Sequence, residues 1–96
     1  MAKPNYIADR DAVNNLLEEI NAQRWRFGYT TQASFGEALE VSQVTAGKYL
    51  KEPGGMTLTV LRKMVRALKP NPGIVLKALG YTDSDIRKFM KEAVQQ

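Results

Sequence analysis

A short stretch of polar and basic residues, Gln43 to Lys51, carries side chains with the chemistry of a DNA contact. The Gln43 amide can pair bidentately with adenine, and Val44 can pack on a thymine methyl group. Thr45 accompanies them, and Gly47 removes bulk from a helix surface. Lys48 and Lys51 can reach guanine or a phosphate. A helix fits the DNA major groove, so these types at this spacing indicate a base-reading helix.

Catalytic and metal chemistry find little support in the composition. The 96 residues include no cysteine and no histidine, which excludes disulfides, thiol catalysis and thiolate or imidazole metal sites. The acids at 18–19, 83 and 85 fall at helix ends or on exposed faces, with no nucleophile–base pair. We therefore expect no catalytic residue, no metal and no cofactor. The absence of cysteine fits a reducing cytoplasm.

Two short helices joined by a tight corner position the stretch. Phe35, Ala38 and Leu39 recur at helical spacing, and so do Ala46, Tyr49 and Leu50. Val41 is expected to plug the corner, and Ser42 to cap the second helix. The first helix should end near Glu40 and the second should begin at Gln43. Helices joined by such a turn make a helix-turn-helix unit, although a helical hairpin with this spacing can also occur without DNA binding.

The stretch resembles the helix-turn-helix of the lambda-repressor-like, or Xre, family. The shared residues are Thr31-Gln32, Phe35, Gly36, Leu39, Val41-Ser42, Ala46 and Tyr49. The family usually has Gly where this chain has Glu40, because Gly tolerates a positive φ at the corner. The resemblance implies that Gln32 contacts a phosphate and supports Gln43. The predicted DNA contacts are Gln32, Ser42, Gln43, Val44, Thr45, Gly47, Lys48, Lys51 and Thr57.

The charge distribution favours a polyanionic partner. Net charge is +4, but residues 1–48 carry five Lys/Arg against six Asp/Glu, whereas residues 49–96 carry nine against four. A basic half of this kind suggests nucleic acid. The same cations can also simply solvate exposed helix faces.

The length and the breaks along the chain predict one all-α domain with the lambda-repressor-like five-helix layout and an added C-terminal helix. Residues 1–8 are expected to form a flexible arm, and residues 9–96 the domain. The first helix should run from Asp9 or Asp11 to about Arg24, followed by a connector, RWRFGY, whose aromatic residues plug the core. Thr57 should cap a fourth helix with a buried stripe of Leu58, Leu61, Val65 and Leu68. Asn71 should cap a fifth helix, central and apolar on most sides.

The last helix is expected to pair two copies of the chain. Its stripe includes Ile86, Phe89 and Met90, which we predict to meet across a two-fold axis as a homodimer interface. Folding back onto its own core is the alternative. Three functions remain open: a sequence-specific transcriptional regulator, an antitoxin that binds DNA and also a toxin through the last helix, or an interaction module without DNA binding. No apolar run is long enough to span a membrane.

Overall fold

The computed structural model describes residues 4–95, with side chains from residue 10 to residue 92. These residues form six α-helices and one 3-10 turn, with no strand in the described range. The helices are α1 (Pro4–Phe27), α2 (Gln32–Leu39), α3 (Gln43–Lys51), α4 (Leu58–Leu68), α5 (Pro72–Ala78) and α6 (Asp83–Gln95); the 3-10 turn, Pro53–Gly55, lies between α3 and α4. The predicted all-α class is confirmed.

Helix α1 is longer than expected at both ends. It begins at Pro4, within the stretch 1–8 for which an arm was predicted, and Met1–Lys3 lie outside the described residues. Proline is tolerated at the first position of a helix, because the backbone N–H of that residue would have no partner within the helix. At the other end α1 continues to Phe27, where a connector was expected. Gly28, with φ +88°, follows as the left-handed cap, and the Tyr29 N–H donates to the Arg24 carbonyl over 2.8 Å.

The core lies where α1 to α5 converge. Five side chains in it are completely buried, those of Ile20, Phe35, Leu39, Met64 and Leu68. Helix α2 packs against both α3 and α4, while α1 packs against α4 and α5. Each fully buried side chain of this size contributes about 1.5–3 kcal/mol. The described side chains of α6 add nothing to this core.

Four expected core positions are wrong. Helix α4 buries Val60, Met64 and Leu68, whereas Leu58 is 72% exposed and Val65 is 38% exposed. The sequence of α4 carries two apolar stripes, and only packing against α2 and α1 selects between them. Trp25 and Phe27 are likewise exposed rather than packed in the core, because α1 extends through them and turns them outward.

Helix α5 is less buried than expected, and the described part of α6 is largely exposed. Asn71 caps α5 as predicted, and its Oδ1 accepts from the Gly73 N–H over 2.8 Å. However, Val75 is the only buried residue of α5. Gly80 takes φ +106° and lets Tyr81 N–H reach the Leu76 carbonyl. Phe89 and Met90 on α6 are 66% and 60% exposed, so α6 does not complete its own core with them.

Helix α1 also holds the segment between α4 and α5. The Gln23 side chain, itself buried, donates from Nε2 to the Lys69 carbonyl over 2.9 Å. One turn earlier, the Glu19 carboxylate accepts from the Asn71 N–H over 2.8 Å. These bonds satisfy main-chain groups that the end of α4 and the start of α5 leave without helical partners.

Glu40 at the corner between α2 and α3 provides a test of backbone strain. Its φ of +60° is left-handed, and its carboxylate lies 3.0 Å from Lys63 Nζ of α4. Glu40→Gly and Glu40→Ala both remove this exposed ion pair, but only Gly accepts the left-handed backbone freely. We expect the Gly variant to be more stable than the Ala variant by about 1 kcal/mol in urea denaturation. Equal stabilities would show that the corner relaxes out of the left-handed region.

Candidate nucleic-acid interface

The α2–α3 corner, residues 40–42 with the two helices they join, is the candidate site. The Val41 N–H donates to the Gly36 carbonyl over 2.9 Å, and the Glu40 N–H to the Glu37 carbonyl over 3.1 Å. This pair of bonds is the Schellman arrangement that ends a helix at a left-handed residue. The chain then turns at once, and α3 begins at Gln43 as predicted.

Gly36 sets how closely the two helices approach. A Cβ added there would lie 2.9 Å from the Val41 carbonyl oxygen and 3.2 Å from the Ser42 carbonyl oxygen. Both neighbours are backbone atoms, so a side chain at this position would displace the corner itself. Behind it, Phe35 and Leu39 are fully buried, and Ala46 of α3 is buried against them.

Ser42 and Thr45 build the start of α3. Ser42 Oγ accepts from the Thr45 N–H over 3.1 Å and donates to Thr45 Oγ1 over 2.9 Å. The first bond satisfies an N–H that has no helical partner. Both hydroxyl groups are therefore engaged with each other, and Thr45 is half-buried.

The remaining predicted residues of α3 share one side of the helix, which we call the α3 face. It consists of Gln43, Val44, Gly47, Lys48 and Lys51, which the helical repeat of about 100° per residue places within one arc of about 140° that does not include the buried Ala46. Gln43, Lys48 and Lys51 are exposed, and Val44 is 68% exposed. A large aliphatic side chain this exposed, between an amide and two cations, suits contact with base edges.

Gln32 links the two helices across the α3 face. Its Nε2 donates to the Gln43 carbonyl over 2.9 Å. The second N–H of the same amide group remains to donate to a phosphate. Gly47 makes room for this side chain, since a Cβ at residue 47 would lie 2.8 Å from Gln32 Cδ. Gly47 thus serves the Gln32–Gln43 contact, a role that its sequence position did not reveal.

Thr57 and Arg24 flank this arrangement. Thr57 Oγ1 accepts from the Val60 N–H over 3.2 Å, so it caps α4 and keeps its hydroxyl proton for another acceptor. Arg24 donates to the Tyr29 and Thr30 carbonyls and lies over the Phe35 ring, 5.3 Å from its centroid. Partial burial lowers the pKa of Arg24. Arg24 was not predicted as a site residue; it fixes the turn that leads into α2.

Among the side chains that the structure describes, residues 10–92, no three acidic groups converge as a metal site requires. No helix in the described part of the chain is long and apolar enough to cross a bilayer. Comparisons of the chain with protein-family models, with curated proteins and with solved structures find no match.

A comparison of two Gly→Ala variants tests how tightly the corner is packed. Both sit inside helices, so both gain about 1 kcal/mol of helix propensity. At Gly36 the new methyl group meets rigid backbone, whereas at Gly47 it meets the flexible Gln32 side chain. We expect Gly36→Ala to be less stable than Gly47→Ala by about 1–3 kcal/mol in thermal and urea denaturation. Similar stabilities would contradict a backbone-limited approach of α2 and α3.

Proposed function

We propose that the chain is a sequence-specific double-stranded DNA-binding transcriptional regulator of the phage or bacterial repressor type, with a lambda-repressor-like fold. One observation carries the proposal: Gln32 donates to the Gln43 carbonyl across a face of α3 whose polar and basic side chains are exposed. The family resemblance implies that Gln32 supports Gln43, and the observed bond supports the proposal by joining Gln32 to the main-chain carbonyl of Gln43. The proposed location is the cytoplasm.

The proposed mechanism assigns base reading to α3 and phosphate binding to its surroundings. Helix α3 enters the major groove, where Gln43 pairs with adenine and Val44 packs on a thymine methyl group. Lys48 and Lys51 bind guanine or phosphate. Gln32, at the start of α2, and Thr57, at the start of α4, donate to phosphates on either side. Phosphate contacts fix the register, and base contacts supply the sequence preference.

The proposed regulator acts as a homodimer. One short helix in one groove is a small contact for a specific site, and two-fold dimers double it at half-sites about 34–36 Å apart. Ile86, Phe89 and Met90 form the proposed interface on α6, where Phe89 and Met90 are largely exposed. The same exposed surface favours the second candidate, an antitoxin whose α6 binds a toxin protein. An enzyme is not proposed.

The salt dependence of DNA affinity tests whether the chain binds DNA at all. The chain should bind mixed-sequence duplex DNA, with log affinity falling linearly against log salt by about 0.9 per phosphate contacted. Fluorescence anisotropy with a labelled duplex over a series of salt concentrations measures the slope. Absence of salt-dependent binding would remove both the regulator and the DNA-binding antitoxin.

Three substitutions separate base reading from phosphate binding. Gln43→Ala should weaken the preferred site, found by selection from random duplexes, by about 1–3 kcal/mol and relax its base preference. Lys51→Ala, if Lys51 binds phosphate, should weaken all sequences evenly and lower the salt slope. Gly47→Ala should behave like a milder Gln43 variant, because it displaces Gln32.

The matched control is Lys91→Ala on α6, which removes the same charge away from the α3 face. It should leave monomeric half-site affinity nearly unchanged. If Gln43→Ala left the base preference intact, α3 would not be the reading helix.

A further inference from the structure

Helix α4 presents an apolar stripe that its own core leaves uncovered. Leu58 is 72% exposed and Val65 is 38% exposed, with the half-buried Leu61 between them at helical spacing. Large aliphatic side chains at i, i+3 and i+7 are the anchors by which a helix binds a groove. We call residues 58, 61 and 65 the α4 stripe.

The charges beside the α4 stripe are all positive. Arg62, Arg66 and Lys69 are exposed, and the sequence of α4 contains no acidic residue. Lys63, the remaining cation of α4, is already paired with Glu40. A second α4 would therefore repel the first, and the surface that fits the α4 stripe must be apolar with an acidic edge.

A groove of about 300 Å³ between α5 and α6 has this composition. Its apolar walls include Leu76, Tyr81, Ile86 and Phe89, and two acids of α6, Asp85 and Glu92, lie along it with Lys88. Tyr81 and Phe89 are more than half exposed, so the groove is open to a partner. The start of α6 is fixed by reciprocal bonds between Thr82 and Asp85, 3.0 and 3.1 Å long. The Thr82 bonds hold the pKa of the Asp85 carboxyl below its usual value.

The residue spacing of the two helices matches in one orientation. When two helices pack in parallel, a residue that directly precedes a stripe residue lies beside a residue of the partner helix. That partner residue is five positions beyond the one with which the alignment pairs it. Aligning Ile86 with Leu58 places Phe89 beside Leu61. The same alignment sets Asp85 against Arg62 and brings Glu92 near Lys69, the residue that directly follows the last turn of α4. The antiparallel orientation instead sets Met90 against the α4 cations and leaves Asp85 and Glu92 without a basic partner, which is unfavourable.

We propose that α4 of a second copy of this chain occupies the α5–α6 groove, parallel to α6, and that the contact is reciprocal about a two-fold axis. Reciprocity closes the assembly at two copies, whereas a one-way contact between two different surfaces would continue into a filament. The inference rests on the proposed homodimer and specifies the surface that α6 meets: α4 of the partner rather than its α6.

Charge exchange between Lys69 and Glu92 tests the proposal in the full chain without DNA. Sedimentation equilibrium at low ionic strength should show a dimer that Lys69→Glu or Glu92→Lys weakens roughly ten-fold, since each variant reverses one ion pair in both halves of the dimer. An equimolar mixture of the two single variants should recover dimerisation, because one interface of the mixed dimer has the original pair and the other has both charges exchanged. Lys91→Glu is the matched control and should dimerise like the unchanged chain.

Substitutions at apolar positions distinguish this dimer from one in which α6 pairs with α6. Leu58→Ala should weaken the dimer while preserving the circular dichroism spectrum and melting temperature, because Leu58 lies outside the core. A dimer that Phe89→Asp abolishes, but that Leu58→Ala and Lys69→Glu leave unchanged, would mean that α6 pairs with α6 and would overturn the proposal. A chain that stays monomeric at every concentration, or a variant mixture that does not recover, would also overturn it.

Duplex binding by the same variants separates this inference from the proposed function. A dimer with the expected charge dependence but without affinity for DNA would contradict the regulator and leave the α4–α6 contact standing. Salt-dependent DNA binding by a chain that stays monomeric would support the regulator and contradict the α4–α6 contact.

Discussion

The close approach of α2 and α3 at Gly36 is the constraint on which the candidate site depends. The Val41 and Ser42 carbonyl oxygens lie where a side chain on residue 36 would begin, so the corner has no room for a larger residue. This contact turns the buried side of α3 toward Phe35 and Leu39. As a result the exposed side chains of α3, including Gln43, lie on the surface beside the corner.

The corner is held from outside as well as from within. Glu40 occupies a left-handed position that disfavours it, and its carboxylate meets Lys63 of α4. On the other side, Arg24 ties the end of α1 to the carbonyls that lead into α2. Gln23 then joins α1 to the end of α4. Hydrogen bonds thus join α1 to the turns beside α2 and α4, while the apolar core supplies most of the folding free energy.

The apolar surface of the chain is divided between a small core and several uncovered faces. A chain of this size buries a limited share of its surface, and α6 lies outside the convergence of the other helices. The exposed aliphatic and aromatic side chains of α4 and α6 are therefore surplus to the fold. Large uncovered apolar patches on small proteins usually mark contacts with other molecules. The cations beside Leu58 make the α4 face positively charged, whereas the acids beside Phe89 place negative charge along the α6 face.

The sequence by itself determined the helices whose boundaries carry local signals. Ser42, Thr57 and Asn71 cap helices where their side chains predicted it, and Gly80 ends α5, because capping depends on neighbours a few residues away. The corner and the outward side of α3 followed from the same local logic. The segment RWRFGY was expected to be a connector, but α1 continues through it to Phe27 and only then meets Gly28.

Only the tertiary structure decided which of two apolar stripes on α4 is buried. Val60, Met64 and Leu68 face the core, while Leu58 and Val65 do not, and helical spacing alone fits either set. The role of Gly47 was equally hidden, because it depends on Gln32 crossing from another helix. Periodicity reports that a helix has an apolar side, but the choice between sides is made by what packs against it.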